Sequence, residues 1–490
     1  MNKDKNIPYI LLPFNFVRIP DDKTLLTNMV GEYIELSDND FDSLINYRLD
    51  IKTDLYANLD AKHFLTRSIS TPAIELLAIK YRTKKSFLYE FTSLHMFVIT
   101  QRCNQSCSYC QVSSRSEDQR SYDMTIDTAK NAVDTALSSP APVIKIEFQG
   151  GEPLLNFKTL KFITEYASRE SVKKDKRLEF VVCTNLTMVN EKMLKFFSDK
   201  KIFISTSLDG PKHIHDNDRR YKNNKGSYED FISSLEKSRK YLGHDNISAL
   251  MTTTKYSLRY AKEIVDAYVE HGFNALFVRL INPFGYANEK LNELGYSTLD
   301  FITFYKDIFE EIIKINLNGY FLEETFATIL LRRILTPFAS GFVDLQFPAG
   351  TGIMGVIYGY DGNVYISDEA RMLGQVGDHY FCIGNVNHDT YTNIFYSNKL
   401  REIIENSCAE LLPECSDCAF QIYCGIDPVR NYATQKDIMG HRPTNECCII
   451  HKEIFKFLFS FILSDNRDIL DIFWSWITHR NLSNIDENIC

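Results

Sequence analysis

The sequence predicts an α/β protein whose centre is an open (β/α)6 barrel, with a small α+β domain before it and a small cysteine-rich domain after it. Two observations lead to this prediction. Between residues 91 and 315, apolar strands alternate with helical stretches six times, and such alternation requires parallel strands joined by right-handed crossovers. Seven of the twelve cysteines lie between Cys382 and Cys448, in a stretch with many turns and weak periodicity.

Length and composition set broad limits on the function. A chain of 490 residues is long enough for roughly two to four domains. Its net charge of −9 disfavours the nucleic-acid backbone as the main partner. No signal peptide and no apolar run of transmembrane length stand out, so we expect a cytoplasmic protein that acts without a membrane. Cysteines in pairs and triplets then indicate metal ligation and not disulfides.

Residues 1–90 are predicted to form the small N-terminal domain. Two short strands within residues 25–36 flank a turn at Gly31, a helix begins near Phe41 behind the cap Ser37–Asp40, and residues 55–59 fit a second helix. This order resembles the winged-helix element that recognises leader peptides in many peptide-modifying radical enzymes. A generic N-terminal cap is the alternative.

The barrel is assigned to residues 91–315, with active residues expected at the carboxyl ends of its strands. A helical linker is expected over residues 316–345, the cysteine-rich domain over 346–450 and a helical tail over 451–490. The predicted strands are residues 94–100, 143–148, 178–183, 202–207, 247–252 and 276–281. The predicted helices are residues 125–137, 157–170, 191–199, 227–241, 257–271 and 299–314.

Three closely spaced cysteines, Cys103, Cys107 and Cys110, follow the first barrel strand. Three thiolates can hold three irons of a [4Fe–4S] cluster and leave the fourth iron open to a ligand. A structural zinc loop is the alternative, but it needs a fourth ligand nearby and none is offered. The spacing, with Tyr109 before the last cysteine, resembles that of the radical S-adenosylmethionine (SAM) superfamily. The resemblance implies a radical SAM barrel with a SAM-binding [4Fe–4S] cluster.

A glycine-rich motif, Gln149–Pro153, follows the second strand. Gly150 and Gly151 let the backbone approach a ligand closely, and Glu152 supplies a carboxylate for an ammonium group. The motif resembles the one that binds the amino group of SAM in radical SAM enzymes. A tight turn without a ligand is the alternative.

Four more residues near strand ends are candidates for the SAM site. The resemblance implies that Asn185 and Ser207 contact the ribose or carboxylate of SAM, that Asp209 shapes the same mouth, and that Arg219 pairs with the SAM carboxylate. Each of these residues taken singly also fits a structural role.

The C-terminal spacing Cys415-x2-Cys418-x5-Cys424, followed by Cys447, resembles the SPASM domain of peptide- and protein-modifying radical SAM enzymes. That domain usually holds two auxiliary [4Fe–4S] clusters through seven cysteines. Here Ser367 and Pro428 stand at two ligand positions of the first cluster, and residues 346–352 contain no cysteine.

Because all three losses belong to one cluster, the resemblance implies a single auxiliary [4Fe–4S] cluster. It would be held by Cys415, Cys418, Cys424 and Cys447, with Cys408 as a competitor for the fourth position and Cys448 left spare. A structural zinc is the alternative.

Asp368 directly follows Ser367. In sulfatase-maturing relatives, an aspartate after the corresponding cysteine is the proposed base for substrate deprotonation, which makes Asp368 the candidate catalytic residue. A solvated acidic loop that includes Asp361 and Glu369 is the alternative.

Over residues 75–447 the chain resembles the His-Xaa-Ser system radical SAM maturase. The resemblance implies cleavage of SAM and hydrogen abstraction from a peptide or small protein with His-Xaa-Ser repeats, together with a second radical SAM maturase and a reductant such as flavodoxin or ferredoxin. The alternatives are a radical SAM enzyme for a small-molecule precursor and a non-catalytic scaffold for a partner maturase. The resemblance is carried by residues 91–100, 110–113, 147–157, 248–254, 367–373 and 440–444.

Overall fold

The computed structural model describes residues 9–89, 91–285, 290–480 and 482. These residues form a mainly parallel ten-stranded sheet, a three-stranded antiparallel sheet and a two-stranded ribbon. The strands are β1 (Ile10–Leu11), β2 (Phe14–Ile19), β3 (Lys23–Asn28), β4 (Tyr33–Ser37), β5 (Leu65–Thr66), β6 (Leu94–Thr100), β7 (Val143–Gly150), β8 (Arg177–Cys183), β9 (Ile202–Ser207), β10 (Ile247–Thr252), β11 (Ala275–Arg279), β12 (Glu323–Glu324), β13 (Gly355–Tyr358), β14 (Asn363–Tyr365) and β15 (Cys382–Asn385).

The helices connect and cover these sheets. They are α1 (Asp38–Ile45), α2 (Asp54–Ala61), α3 (Thr71–Lys84), α4 (Ile126–Ala136), α5 (Phe157–Lys173), α6 (Glu191–Lys200), α7 (Lys212–Asp218), α8 (Tyr228–Leu242), α9 (Ala261–Glu270), α10 (Leu291–Leu294), α11 (Thr298–Leu317), α12 (Thr325–Leu335), α13 (Asp368–Gln375), α14 (Tyr391–Phe395), α15 (Asn398–Glu405), α16 (Pro428–Gln435), α17 (Glu446–Ile462) and α18 (Arg467–Thr478).

The six predicted strands, β6 to β11, are confirmed as consecutive parallel neighbours in the central sheet. Phe97, Phe148, Val182 and Ile204 are register partners across four of these strands, and each is at most 1% exposed. The six predicted helices are present with shifts of a few residues at their ends. The central fold is therefore the parallel α/β arrangement that the sequence predicts.

Helix starts in the barrel follow ordinary capping chemistry. Thr125 caps α4 by accepting from the backbone N–H of Thr128, and Asn190 caps α6 in the same way. Ser297 and Asp300 form a reciprocal capping box at the start of α11. These side chains satisfy N–H groups that the first helical turn leaves unpaired.

The sheet also extends beyond the six predicted strands. On one side β12 pairs with β11, and on the other β13 pairs in parallel with β6 and continues into the antiparallel strands β14 and β15. All four residues of β13 are buried. A short strand buried on both faces carries no alternating pattern, which is why the sequence shows only a turn-rich stretch there.

The N-terminal region has its own hydrophobic core, which includes Leu26, Phe41 and Leu59. The predicted strand pair is confirmed as β3 and β4, with a turn at Gly31 (φ +84°), and both predicted helices are present as α1 and α2. Strand β2, which pairs with β3, was not predicted from the sequence. The domain boundary at residue 90 and the other domain limits stay predictions.

The predicted C-terminal helices dock on the barrel. Trp476 of α18 is fully buried and lies edge-on to Phe309 of α11, with ring centroids 5.7 Å apart. Across the described residues, no helix combines the length and the apolar character that crossing a membrane requires.

Candidate radical SAM site

The loop with Cys103, Cys107 and Cys110 leaves the end of β6 and is held on one side by the glycine-rich turn after β7. Gly151 N–H donates to the Thr100 carbonyl at 3.0 Å, and Glu152 N–H donates to the Arg102 carbonyl at 2.7 Å. A Cβ atom on Gly151 would lie 2.3 Å from the Arg102 carbonyl oxygen. Gly151 is therefore required by the close approach of the two loops.

Gly150 is constrained in a second way. Its φ of +143° is outside the range that other residues favour, and an added Cβ atom would lie 1.9 Å from the Thr100 carbonyl oxygen. Both glycines are partly exposed, so the turn that clamps the cysteine loop also offers its backbone to a ligand.

The other side of the cysteine loop is held by the segment after α7. Ser106 N–H donates to the Arg220 carbonyl at 2.7 Å, and Ser108 N–H donates to the Asp218 carbonyl at 2.9 Å. Anchoring of the loop by residues 218–220 could not be predicted, because backbone carbonyls carry no sequence signal. The three cysteines are thus presented on a loop that is hydrogen-bonded along both edges.

Glu152 makes buried hydrogen bonds that its sequence motif does not predict. Its side chain is 0% exposed and accepts from Thr184 Oγ1 at 2.7 Å, from Asn185 N–H at 2.8 Å and from Leu154 N–H at 3.0 Å. Burial raises the pKa of Glu152 to about 7, and the three hydrogen bonds oppose this shift. The carboxylate locks the ends of β7 and β8 together and does not face open space.

Asn185 lies beside the cysteine loop, as expected for a site residue. Its Nδ2 donates to Asn104 Oδ1 at 2.8 Å and lies 4.0 Å from Cys103 Sγ. Its Oδ1 accepts from Thr187 Oγ1 at 2.7 Å. The amide is partly exposed, so it can also meet a ligand bound over the cysteines.

Asp209 and Arg219 form a buried pair under the cysteine loop. Asp209 is 0% exposed, and its carboxylate accepts from Arg219 Nε at 3.1 Å, from Thr252 N–H at 3.1 Å and from the hydroxyl of Tyr109. The aromatic residue of the cysteine motif is thereby tied to the mouth of the barrel. Asp209 thus joins the cysteine motif to Arg219 and to the end of β10, and a part in SAM binding stays a prediction.

Arg219 extends from this pair towards the thiols. Burial raises the pKa of Cys107 to about 12, and the positive charge of the Arg219 guanidinium opposes the shift. A cation at this position stabilises thiolates and can also bind an anionic ligand group. Arg219 therefore carries a positive charge that acts on the cysteine loop, and its pairing with the SAM carboxylate stays a prediction.

Ser207 lies at the end of β9, partly exposed and in register with Leu250 of β10. Cys183, at the end of the neighbouring β8, contacts Glu147 Oε1 through its thiol at 3.3 Å. Ser207 thus sits at the carboxyl edge of the sheet with the other candidates, and its contact with SAM stays a prediction.

The second cysteine group lines a cavity of about 160 Å³ between the end of β11 and α17. Cys415, Cys418, Cys424, Cys447 and Cys448 all line it. The loop is fixed from beneath by the buried guanidinium of Arg333, which donates to the backbone carbonyls of residues 422, 423 and 424 at 2.7–3.2 Å. Arg333 therefore holds the cysteine loop in place, and the spacing of the cysteines gave no indication of this role.

Cys447 and Cys448 both line this cavity, and of the two Cys448 is the one whose charge acts on the other three thiols. Burial raises the pKa values of Cys415, Cys418 and Cys424, and Cys448 raises all three further as a neighbouring charge. Burial raises the pKa of Cys447 as well, and the Arg430 guanidinium opposes that rise.

One further side chain, His451, lies beside these thiols, whereas Cys408 does not. His451 Nδ1 lies 3.6 Å from Cys424 Sγ, and burial lowers the pKa of His451 to about 4, so the ring is neutral near pH 7. Cys408, the other competitor for the fourth position, lies in a separate pocket with Tyr81 and Lys85.

Both cysteine groups offer several thiols as possible metal ligands. Within residues 9–89, 91–285, 290–480 and 482, no three His, Cys, Asp or Glu side chains converge closely enough to hold one metal ion. Each loop nevertheless presents three thiols, and thiolates are the ligands that iron–sulfur clusters use.

Asp368 begins α13, and Ser367 caps that helix by accepting from Ala370 N–H. The Asp368 carboxylate accepts from Arg371 Nε at 2.7 Å, and Arg371 is only 2% exposed. The candidate base is therefore held by a buried cation on its own helix.

Comparisons with known proteins agree with this architecture. The radical SAM superfamily matches residues 97–268. An uncharacterized protein of Methanocaldococcus jannaschii is 33% identical over 187 residues, which is 38% of this chain and 61% of that protein. This chain therefore spans less than two thirds of that relative. A cysteine-type anaerobic sulfatase-maturating enzyme of Clostridium perfringens is 26% identical over 381 residues, 75% of this chain and 96% of the enzyme.

Two solved structures share the fold. Native anSMEcpe with bound AdoMet and Cp18Cys peptide matches with a TM-score of 0.64 at 23% identity, over 77% of this chain and 99% of that one. Streptococcus suis SuiB bound to the precursor peptide SuiA matches with a TM-score of 0.53 at 14% identity, over 89% of this chain and 99% of that one. Residues 97–268, which hold the cysteine loop, thus match the radical SAM superfamily, and three quarters of the chain is similar to an anaerobic sulfatase-maturating enzyme.

Proposed function

We propose that this chain is a radical SAM maturase that modifies a peptide or small protein after translation, and that its substrate carries His-Xaa-Ser repeats. The observation that carries the enzymatic part is the doubly anchored loop of Cys103, Cys107 and Cys110 beside the Gly150–Gly151 turn and the Arg219 guanidinium. A scaffold has no need of this arrangement. The peptide part is supported by relatives whose names describe sulfatase maturation and by a solved relative with a bound precursor peptide.

In this proposal Cys103, Cys107 and Cys110 hold the [4Fe–4S] cluster. Bound cluster and SAM together would supply a 5′-deoxyadenosyl radical by reductive cleavage of SAM. The glycine turn admits the amino-acid end of SAM, Arg219 binds its carboxylate, and Asn185 and Ser207 contact its polar groups. Glu152 and Asp209 keep the strand ends and the cysteine loop in place through their buried hydrogen bonds.

The auxiliary site is assigned one [4Fe–4S] cluster on Cys415, Cys418 and Cys424, with the fourth thiolate from the start of α17. Cys448 N–H donates to the Asn445 cap there, and the positive end of a helix dipole favours a thiolate. The cluster would take up the electron that leaves the substrate, or would order the domain.

Delivery of the peptide by the N-terminal region is supported by its contacts with the auxiliary loop. Asn15 Nδ2 donates to the carbonyls of Ser416 and Cys418 at 3.0 and 3.1 Å, and Thr27 Oγ1 donates to the Ala419 carbonyl at 2.5 Å. In the opposite direction, Tyr423 OH donates a hydrogen bond to the Gly31 carbonyl at 3.1 Å. A peptide bound by the N-terminal region would therefore lie close to the cysteine-rich domain.

The proposal also places the reaction in the cytoplasm, with a second radical SAM maturase and a flavodoxin or ferredoxin as reductant. These partners rest on the resemblance to the His-Xaa-Ser system alone.

The test uses the full chain, reconstituted with iron and sulfide without oxygen and supplied with SAM and a strong reductant. We expect 5′-deoxyadenosine from the wild type and from Cys408→Ala, and none from Cys107→Ala. Cys408 is the matched control because it is a cysteine that lines a separate pocket and neither cysteine site. A co-expressed peptide with His-Xaa-Ser repeats should change mass, whereas one with a scrambled sequence should not. No 5′-deoxyadenosine from a wild type that carries about eight irons, the sum of two four-iron clusters, would contradict the proposal.

A further inference from the structure

Cys424 differs from the other thiols of the auxiliary site in what its sulfur contacts. Its Sγ lies 3.6 Å from His451 Nδ1. Among the residues that the structure describes, no side-chain nitrogen lies within hydrogen-bonding distance of the Sγ atoms of Cys415, Cys418 or Cys448. The histidine therefore marks one ligand position out of the group.

The position of His451 is fixed by two helices. On α17 it follows Cys448 by three residues, a spacing that places both side chains on the same face of the helix. The ring of Phe326 on α12 packs against the imidazole, with ring centroids 5.7 Å apart. The same helix α12 carries Arg333, which donates to the Cys424 carbonyl at 3.2 Å. Helix α12 thus contacts both the backbone of Cys424 and the ring that meets its sulfur.

The contact has only one possible donor once Cys424 binds iron. A metal-bound thiolate has no hydrogen to give and acts as an acceptor. The hydrogen between the two atoms must therefore be on the imidazole. Both the neutral and the charged form of the ring can carry it at Nδ1, so the contact is available in either state.

A donor at this sulfur acts on the charge of the site. An added electron places more negative charge on the cluster sulfurs, and an N–H group beside one of them stabilises that charge. Hydrogen bonds to the sulfurs are among the features that set the potential of an iron–sulfur cluster. Phe326, Phe420 and Phe455 line the same cavity, and a hydrogen bond is stronger in such surroundings than in water.

We propose that His451 donates a hydrogen bond from Nδ1 to Cys424 Sγ and thereby raises the reduction potential of the auxiliary cluster. This inference rests on the proposed function, because it requires a cluster on Cys424. The histidine makes no bond to iron and gives up no proton: its N–H hydrogen stays on the ring while the site takes up one electron. His451 is thus a positioning residue that acts through Cys424.

The experiment measures the reduction potential in the full chain, with Cys103, Cys107 and Cys110 replaced by alanine so that only the auxiliary cluster is titrated. Each protein is reconstituted with iron and sulfide without oxygen, and the electron paramagnetic resonance signal of the reduced cluster is followed against the applied potential. Iron content is measured for each protein, with about four irons per chain expected.

Three variants of this protein are compared with it. His451→Phe keeps a ring and removes the donor, whereas His451→Asn keeps a donor nitrogen at the δ position. His388→Phe is the matched control, because His388 is an exposed histidine in the same cysteine-rich region.

Loss of the donor should favour the oxidised cluster about tenfold, since a hydrogen bond to a charged group has at least this effect on an equilibrium. For one electron this is a fall of about 59 mV in His451→Phe. His451→Asn should stay within about threefold of the parent equilibrium, and His388→Phe should match it. With isotopically labelled histidine, pulsed resonance should detect a nitrogen coupling to the cluster in the parent and in His388→Phe. The coupling should be absent from both His451 variants.

A cluster-loaded His451→Phe protein within about threefold of the parent equilibrium would overturn this inference alone. Absence of the nitrogen coupling from the parent protein would also overturn it, whatever the variants do. Loss of the cluster from both His451 variants would identify the histidine as an iron ligand and contradict the proposed contact. A parent protein that binds no cluster would overturn the auxiliary-cluster part of the proposed function, and the role of His451 with it.

Discussion

Replacement of Asp209 by Asn should loosen the cysteine loop from the barrel. Asp209 is 0% exposed, and its carboxylate binds Arg219 and Tyr109 at once. The asparagine keeps the size of the side chain but removes its charge. The buried guanidinium is then uncompensated, and Tyr109 loses a charged acceptor.

The size of the effect follows from burial. Removing one partner of a buried ion pair costs about 3–5 kcal/mol. Arg219 keeps 11% exposure of its side chain, so we expect the lower end, about 3 kcal/mol. The loss should be local, because Arg219 neighbours the carbonyls of residues 218 and 220 that hold the N–H groups of Ser108 and Ser106.

Hydrogen exchange measured by mass spectrometry is the suitable assay, because it reports local opening in a large chain. A loss of about 3 kcal/mol corresponds to about 100-fold faster exchange in the peptide that contains Ser106 and Ser108. Asp266→Ala is the control, since Asp266 forms an exposed pair with Lys262 on α9 and such pairs are worth about 0.5 kcal/mol. Exchange in Asp209→Asn within threefold of the wild type would refute the proposed anchoring.

Three further outcomes are expected. Gly151→Ala should weaken SAM binding at least about tenfold in calorimetry, because a methyl group 2.3 Å from the Arg102 carbonyl costs about 1–3 kcal/mol; unchanged affinity would contradict the loop packing. Cys448→Ala should lower the iron content from about eight towards about four per chain, whereas Cys447→Ala should retain it; the reverse result would restore Cys447 as the ligand. The pKa of Glu152 is raised from 4.5 to about 7, so its folded form keeps a proton that the unfolded chain releases, and its contribution to stability should fall as pH rises through that window. Glu152→Gln should lose this dependence in urea titrations between pH 4.5 and 7, and equal pH dependence in both proteins would contradict it.

Local patterns in the sequence were sufficient for the barrel and for the first cysteine site. Each barrel strand is an apolar run followed by a helix, so neighbouring residues alone carry the signal. The cysteines at 103–110 follow β6 directly and are confirmed there on one anchored loop. Gly150 and Gly151 were also identifiable, because only glycine tolerates such a close approach of two backbones.

Tertiary structure decided which way neighbouring side chains on a helix point and which distant strands pair. Consecutive residues on a helix point about 100° apart, so spacing cannot tell which of Cys447 and Cys448 faces the triplet, or which of Asp368 and Glu369 faces the cavity. The pairing of β13 with β6 joins residues more than 250 positions apart, and β13 is too short and too buried to show a pattern. The sequence by itself determined the barrel, the cysteine loop and the glycine turn, because these depend on neighbouring residues. Only the fold decided which of the adjacent carboxylates Asp368 and Glu369 lines the cavity, because that choice depends on the elements packed against the helix.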